Sequence, residues 1–152
     1  MQEDNISIDF FTDESAVTLA AEMHARCFAA GWSEAEFTSA LGIQGTLLQI
    51  LSRDGEPAAF SLYRIVSDEA EILTLGTLPE FRNQGIATQL LDVGIKKLKT
   101  AGVRFLHLEV GSQNFTANRL YVTEGFQKIG LRRNYYNHGG KREDAIMMKK
   151  IL

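Results

Sequence analysis

The chain has 152 residues, with 16 Lys and Arg against 19 Asp and Glu, a net charge of −3. At about 100–200 residues per domain, this length predicts one domain spanning 1–152 with room for a real core, and 45% apolar with 23% charged residues excludes extended disorder, collagen and coiled-coil arrays. No apolar run approaches the ~20 residues that cross a bilayer, and the acidic stretch Met1 to Asp13 lacks the basic n-region of a secretory signal.

Strand-like and helix-like stretches alternate, with no repeat and no low-complexity linker. Ile6 to Phe11 predicts an opening strand. Thr12-Asp13-Glu14 supplies capping chemistry for a helix over Ser15 to Phe28. Ser33 with Glu36 three residues on is the pattern of a capping box, so a second helix is expected to start near Trp32. Thr46 to Arg53 and Ala58 to Val66 predict two strands joined by the hairpin signal Asp54-Gly55. Ala70 to Leu78 predicts the next strand, reached through Ser67-Asp68-Glu69. A loop, Glu80 to Gln84, then leads to Gly85 and an amphipathic helix with Ile86, Leu90, Leu91, Ile95 and Leu98 on one face. Gly102 stands where glycine favours a helix end. Val103 to Val110 predicts a strand with Leu106, Leu108 and Val110 on one face. Phe115 to Glu124 predicts a helix stopped by Gly125. Phe126 to Arg133 and Ala145 to Lys150 are closing strands, separated by a polar loop, Asn134 to Asp144. Seven strands and four helices in this order predict a mixed α/β fold of the α+β type. Its sheet is largely antiparallel, and Ala70 to Val110 forms the one parallel crossover.

One cysteine, Cys27, excludes an internal disulfide, and a reducing cytoplasm is the simplest compartment. Its neighbours Ala25, Phe28 and Ala29 predict a buried thiol on a helix, inert in catalysis. His24 and His138 have no partners at metal-ligand spacing, so no metal is expected. Charge is uneven: residues 1–36 hold eight acids and one base, and residues 126–152 hold seven bases and two acids. The chain as a whole lacks the basic excess of a nucleic-acid binder, and neither nucleic acid nor membrane is an expected partner.

The segment Arg82-Asn83-Gln84-Gly85-Ile86-Ala87 carries the most chemistry. Gly85 and Ala87 are small enough for close approach of a ligand. Amides at a helix start attract anions, and Arg82 adds a cation, an arrangement suited to a pyrophosphate. It is neither a Walker loop nor the three-glycine dinucleotide fingerprint. A glycine in a strand-to-helix turn also has a purely structural reading, and it is the context that favours the ligand. The loop follows a strand and opens a helix. Leu108-Glu109-Val110 comes next, and then Asn114-x-x-Ala117-x-x-Leu120-Tyr121-x-x-x-Gly125-Phe126. With these segments the sequence resembles the GNAT superfamily of acetyl-CoA-dependent N-acetyltransferases, from Trp32-Ser33 to the last strand. The tail Arg132-Arg133-Asn134-Tyr135-Tyr136, followed by Arg142-Glu143-Asp144-Ala145-Ile146-Met147-Met148, is similar to the RimI-type ribosomal-protein-alanine N-acetyltransferases of that superfamily.

The resemblance implies the GNAT fold and acetyl-CoA as cosubstrate. It places the pantetheine arm along Leu75-Gly76-Thr77 and the pyrophosphate on Arg82, Asn83, Gln84, Gly85, Ile86, Ala87 and Thr88, with Asn114 beyond the thioester. It implies a ribosomal-protein N-terminus as acceptor, walled by Trp32, Arg133, Tyr135 and Tyr136. Two departures stand out: Thr77-Leu78 replaces a common Val-Asp pair, and Gly111 replaces a residue that is often Arg.

An α-ammonium, with a pKa near ~7.7–8.0, must lose a proton before it attacks a thioester. Glu109 is the candidate base, directly or through a water, since a strand carboxylate beside Phe105 and His107 is open to a raised pKa. Tyr121 is the candidate acid for the leaving thiolate. Each residue also has a plainer reading. Glu109 fits a solvated strand carboxylate and Tyr121 a core aromatic. His107 fits a packed histidine, Trp32 an anchor between the first two helices, and Arg132 and Arg133 a solvated strand end. Two rivals share the cofactor: transfer to a small amine or a lysine, and a non-catalytic acyl-CoA sensor.

Overall fold

A computed structural model describes residues 5–152. Strand β1 (Ile6–Phe11) leads through a 3₁₀ turn at Glu14–Ala16 into α1 (Val17–Cys27) and α2 (Glu34–Leu41). Three antiparallel strands follow, β2 (Thr46–Arg53), β3 (Glu56–Val66) and β4 (Glu69–Thr77). Next come a 3₁₀ turn at Pro79–Phe81, α3 (Ile86–Thr100), β5 (Phe105–Gly111) and α4 (Phe115–Thr123). The hairpin β6 (Gln127–His138) and β7 (Lys141–Ile151) closes the chain. The seven strands form one sheet in the order β1-β2-β3-β4-β5-β7-β6. Only β4 and β5 run parallel.

The local signals act as their chemistry requires. Asp13 accepts from the Ser15 amide at 3.0 Å and starts the first helical turn. Ser33 Oγ accepts from the Glu36 amide, and the Glu36 carboxylate accepts from the Ser33 amide, so the capping box is complete. Asp54 and Gly55 both have positive φ (52° and 82°) and turn β2 into β3. That left-handed pair matches the twist of a two-residue hairpin. Gly102 (φ 92°) follows the last residues of α3.

One expectation fails. The polar stretch Asn134 to Asp144 is not a loop: β6 runs to His138, β7 starts at Lys141, and only Gly139-Gly140 turn between them. Polar side chains signal a loop only where one face would otherwise be buried. Almost all of β6 is exposed, so its cross-strand ladder carries it instead, with Tyr136 opposite Glu143 and His138 opposite Lys141.

The sheet separates two apolar layers. One holds α1 and α2 through Ala20, Met23 and Phe37 against Leu48, Phe60 and Leu62. The other holds α3 and α4 through Leu91, Leu98 and Tyr121 against Ile72, Leu106 and Leu108. In α3 the residues Leu90, Leu91 and Leu98 are fully buried, as the helical spacing predicts. Among the described residues no helix is long and apolar enough to cross a membrane.

Candidate active site

The site forms where the two parallel strands part. Pairing of β4 with β5 ends at Ile72 opposite Leu108. Beyond that point β4 continues to Thr77 on β3 alone, and β5 continues to Gly111 on β7 alone. Leu73 to Thr77 therefore present backbone groups with no sheet partner on one side, which a ligand in the gap can satisfy.

Two adjoining cavities occupy the gap. The larger, about 540 Å³, is lined by Leu75, Gly76 and Thr77 of β4 and by Arg82, Asn83, Gly85, Ile86, Ala87 and Thr88 at the start of α3. The smaller, about 270 Å³, contains Glu109, Tyr121, Tyr136 and Thr74. Phe28, Leu75, Asn114 and Ala117 line both.

The start of α3 places uncapped amides beside a cation. Asn83 (φ 62°) and Gly85 (φ 76°) both adopt left-handed backbone, which turns the chain sharply into the helix. Gly85 is the N-cap and supplies no side-chain hydrogen bond. The first amides of α3 therefore have no protein cap, whereas Ser33 caps α2 and Asn114 caps α4. Arg82 is anchored beside them, its Nε donating to the Thr77 carbonyl at 3.0 Å. Gln84 turns away: its side chain accepts from Arg53 and donates to the Glu80 carbonyl at 3.1 Å. It is the one expected cofactor residue that lines neither cavity.

In the smaller cavity Glu109 projects from β5 and pairs with Arg132 Nε at 3.2 Å. Arg132 also lies over the Tyr135 ring, 5.3 Å from its centroid. Tyr121 is 6% exposed and packs edge-on against Phe126. Burial, reinforced by the nearby Tyr63 and Tyr136, pushes its phenol further up, so it remains protonated at neutral pH. Tyr136 is also pushed up, by burial first and then by Glu109, Tyr135 and Glu143. Asn114 Oδ1 caps α4 by accepting from the Ala117 amide at 3.3 Å, which leaves its amide nitrogen for a ligand.

Three expected acceptor residues stand outside both cavities. Trp32 packs on Phe37 and borders a separate hollow on α2. Arg133 and Tyr135 are exposed on β6 and line neither cavity. Cys27 departs from its expected place in two ways. It is only partly buried, and it lines the larger cavity, where a β-carbon on Gly76 would stand 3.1 Å from its sulfur. Burial raises its thiol pKa, against the opposing pull of Arg82 and Arg26, so the thiolate is disfavoured.

Sequence reasoning missed Phe28, Thr74, His138 and Glu143 as wall residues. Thr74 directly precedes the quoted Leu75-Gly76-Thr77, and Glu143 lies inside the quoted tail Arg142 to Met148, but neither carried a signal of its own for a place in the cavity wall. Among the described residues no group of three His, Cys, Asp or Glu is placed to hold a metal.

Comparison with known proteins shows the family. Residues 17–126 match the acetyltransferase (GNAT) family. The [ribosomal protein bS18]-alanine N-acetyltransferase of Salmonella typhimurium (strain LT2) is 38% identical over 143 residues, 94% of each chain. The crystal structure of the ribosomal-protein-S18-alanine N-acetyltransferase from Escherichia coli superposes with a TM-score of 0.88 at 33% identity, covering 99% of this chain and 94% of that one. Arabidopsis thaliana NAA60 in complex with acetyl-CoA, at 20% identity, shares the fold with a TM-score of 0.83 over 97% of this chain and 99% of that one. A family match over most of the chain, a relative alike from end to end and a parted pair of parallel strands agree: the chain belongs to the GNAT family of acetyltransferases.

Proposed function

We propose that this chain transfers the acetyl group of acetyl-CoA to the N-terminal α-amine of a ribosomal protein that begins with alanine. The observation that carries the reading is the joining of two cavities at Phe28, Leu75, Asn114 and Ala117, one rimmed by Arg82 and the uncapped amides of α3 and one holding Glu109 and Tyr121. The acceptor class follows from the names of the relatives that match this chain nearly end to end.

Acetyl-CoA would supply an activated thioester. The uncapped amides of α3 and Arg82 would hold its pyrophosphate, and the free edge of β4 at Leu75 to Thr77 would align its amide-bearing arm. No side chain at Gly76 obstructs that edge, and none is tolerated, since a β-carbon there would sit 2.9 Å from the Phe60 ring. Asn114 contributes its free amide nitrogen.

The α-amine would enter from the smaller cavity and attack directly. Its proton passes to Glu109, directly or through water. As the carbon–nitrogen bond forms and the carbon–sulfur bond breaks, Tyr121 donates its phenolic proton to the departing sulfur. The phenol is protonated at neutral pH and so has a proton to give. Cys27 carries no acyl group: its thiolate is disfavoured, and direct attack needs no enzyme-bound intermediate.

Intact-mass analysis of peptides incubated with acetyl-CoA tests the reading. An Ala-starting basic peptide should gain one acetyl group. The same peptide with a blocked α-amine, and a free polyamine, should gain none. Acetylation of lysine in the blocked peptide, or of the polyamine, would refute the acceptor assignment.

A further inference from the structure

We infer that Glu143 is a positioning residue for acetyl transfer, a clamp that joins the β6–β7 hairpin to the loop opening α4 and so sets the spacing of the acceptor cavity's two walls. The inference rests on the transfer reaction proposed above.

Glu143 stands near the start of β7 with a side chain only 12% exposed. Each of its oxygens has its own partner. Oε2 accepts from the Gln113 amide at 2.7 Å. Oε1 meets His138 Nε2 of β6 at 2.9 Å. A carboxylate so little exposed is costly unless its oxygens are bonded, and these two contacts meet that need. The carboxylate is therefore held between the strand pair and residue 113, immediately before the Asn114 cap of α4.

The neighbouring contacts show why this point matters. The loop from Gly111 to Asn114 joins the strand carrying Glu109 to the helix carrying Tyr121. Near its tip, Ser112 donates to the Asp144 carbonyl at 2.9 Å and Asn118 Nδ2 to the Gly111 carbonyl at 3.0 Å. Glu143 is the side chain that crosses from the hairpin to this loop. Tyr136 and His138 form the hairpin wall of the cavity, and Asn114, Ala117 and Tyr121 form the helix wall.

Gly111 fits the same account. A β-carbon there would stand 2.7 Å from the Glu143 carboxyl carbon and closer still to Oε2. Its φ is not in the left-handed region, so alanine suits its backbone. The glycine serves to admit the carboxylate, and the absent side chain is replaced by one reaching over from β7.

The test uses four variants of the full chain. Glu143→Ala should lower kcat by about ten- to a hundredfold, the loss expected from a misplaced wall. The Kd for acetyl-CoA, measured by calorimetry, should stay within about twofold, because the rim of α3 is untouched. Hydrogen exchange at the Gln113 amide should speed by about tenfold or more. Glu143→Gln, which keeps an acceptor for that amide, should recover most of the rate and protection. Gly111→Ala should reproduce the loss by collision. The double variant Gly111→Ala/Glu143→Ala should be no worse than Glu143→Ala alone, since the two changes act on one contact. Unchanged exchange at Gln113 in Glu143→Ala, or an additive double variant, would overturn the clamp. A kcat loss matched by an equal rise in the acetyl-CoA Kd would reduce Glu143 to a general stability role. If the parent protein acetylates no peptide, the transfer reading fails, and the clamp is judged by Gln113 exchange alone.

Discussion

Glu109 and Tyr121 reach one cavity by different routes. Glu109 alternates outward from a strand whose Leu106, Leu108 and Val110 are buried on the opposite face. Tyr121 is held by Phe126 and the core and lines the cavity from α4. Each therefore has a conservative replacement that separates chemistry from packing. Glu109→Gln removes the base and keeps the shape; Tyr121→Phe removes the acid and keeps the ring. Each should lower kcat by about 10²–10⁴-fold, with the acetyl-CoA Kd within about twofold by calorimetry. A fully active Glu109→Gln would return Glu109 to a solvated carboxylate paired with Arg132.

At the scale of elements, α3 is fastened to the sheet by a buried polar cluster rather than by apolar contact alone. Gln49 is fully buried on β2. Its Oε1 accepts from Ser61 Oγ at 2.7 Å and from Tyr63 Oη at 3.0 Å, and its Nε2 donates to the Leu90 carbonyl at 2.8 Å. Gly94, one turn on, gives the cluster room: a β-carbon there would stand 2.8 Å from Gln49 Oε1 and closer to the Tyr63 hydroxyl. Alanine is a better helix former than glycine by about 1 kcal/mol. Overpacking a buried site costs about 1–3 kcal/mol, and loss of a buried hydrogen bond adds to it. Gly94→Ala should therefore lower unfolding free energy in urea, despite its helix propensity. At the other end of α3, Gly85→Val forces a β-branched residue into left-handed backbone, a strain of about 1–2 kcal/mol. A β-carbon there meets no protein atom within 4 Å, so the new side chain would stand in the cavity space the cofactor is proposed to fill, and the acetyl-CoA Kd should rise more than tenfold by calorimetry. A Kd unchanged by Gly85→Val would remove the pyrophosphate from this loop.

These same elements mark how far the sequence could be read. Short-range chemistry was legible: the capping box at Ser33, the hairpin at Asp54-Gly55 and the apolar face of α3 depend on residues within a few positions of each other. The turn from β4 into α3 at Arg82 to Thr88 was legible as structure because a strand, a tight turn and a helix follow in sequence. Gln84 shows the limit, since its partner Arg53 is 31 positions away. Cys27 and Gly76 meet only because α1 packs across the end of β4. Glu143 meets Gln113 only because β7 lies beside β5. The β6–β7 hairpin was misread because polar composition says little about a ladder exposed on nearly every residue.

Across the whole molecule, the layer of α1 and α2 is tied to the site strand by one histidine. His24 is 3% exposed and surrounded by the rings of Phe28, Trp32, Phe37 and Phe60. Its Nδ1 accepts from the Trp32 amide at 3.0 Å, so its proton sits on Nε2, which donates to Thr74 Oγ1 at 2.9 Å. Those bonds require the neutral ring, because a protonated Nδ1 has no lone pair for Trp32. Burial lowers the pKa from 6.5 to about 4, against a weaker opposing pull from Glu36. The unfolded chain therefore binds this proton more readily than the folded one. Stability from the neutral ring is complete above about pH 6.5, erodes as pH falls towards 4, and is lost below that. The full effect is on the order of 3–4 kcal/mol, from about 1.4 kcal/mol per pKa unit. Urea unfolding at pH 7.5 and pH 4.5 should show wild type losing more stability than His24→Gln, whose amide has an acceptor and a donor but does not titrate. Most of the excess loss should fall between pH 6.5 and 4. Equal losses in both proteins would place the acid sensitivity in other groups.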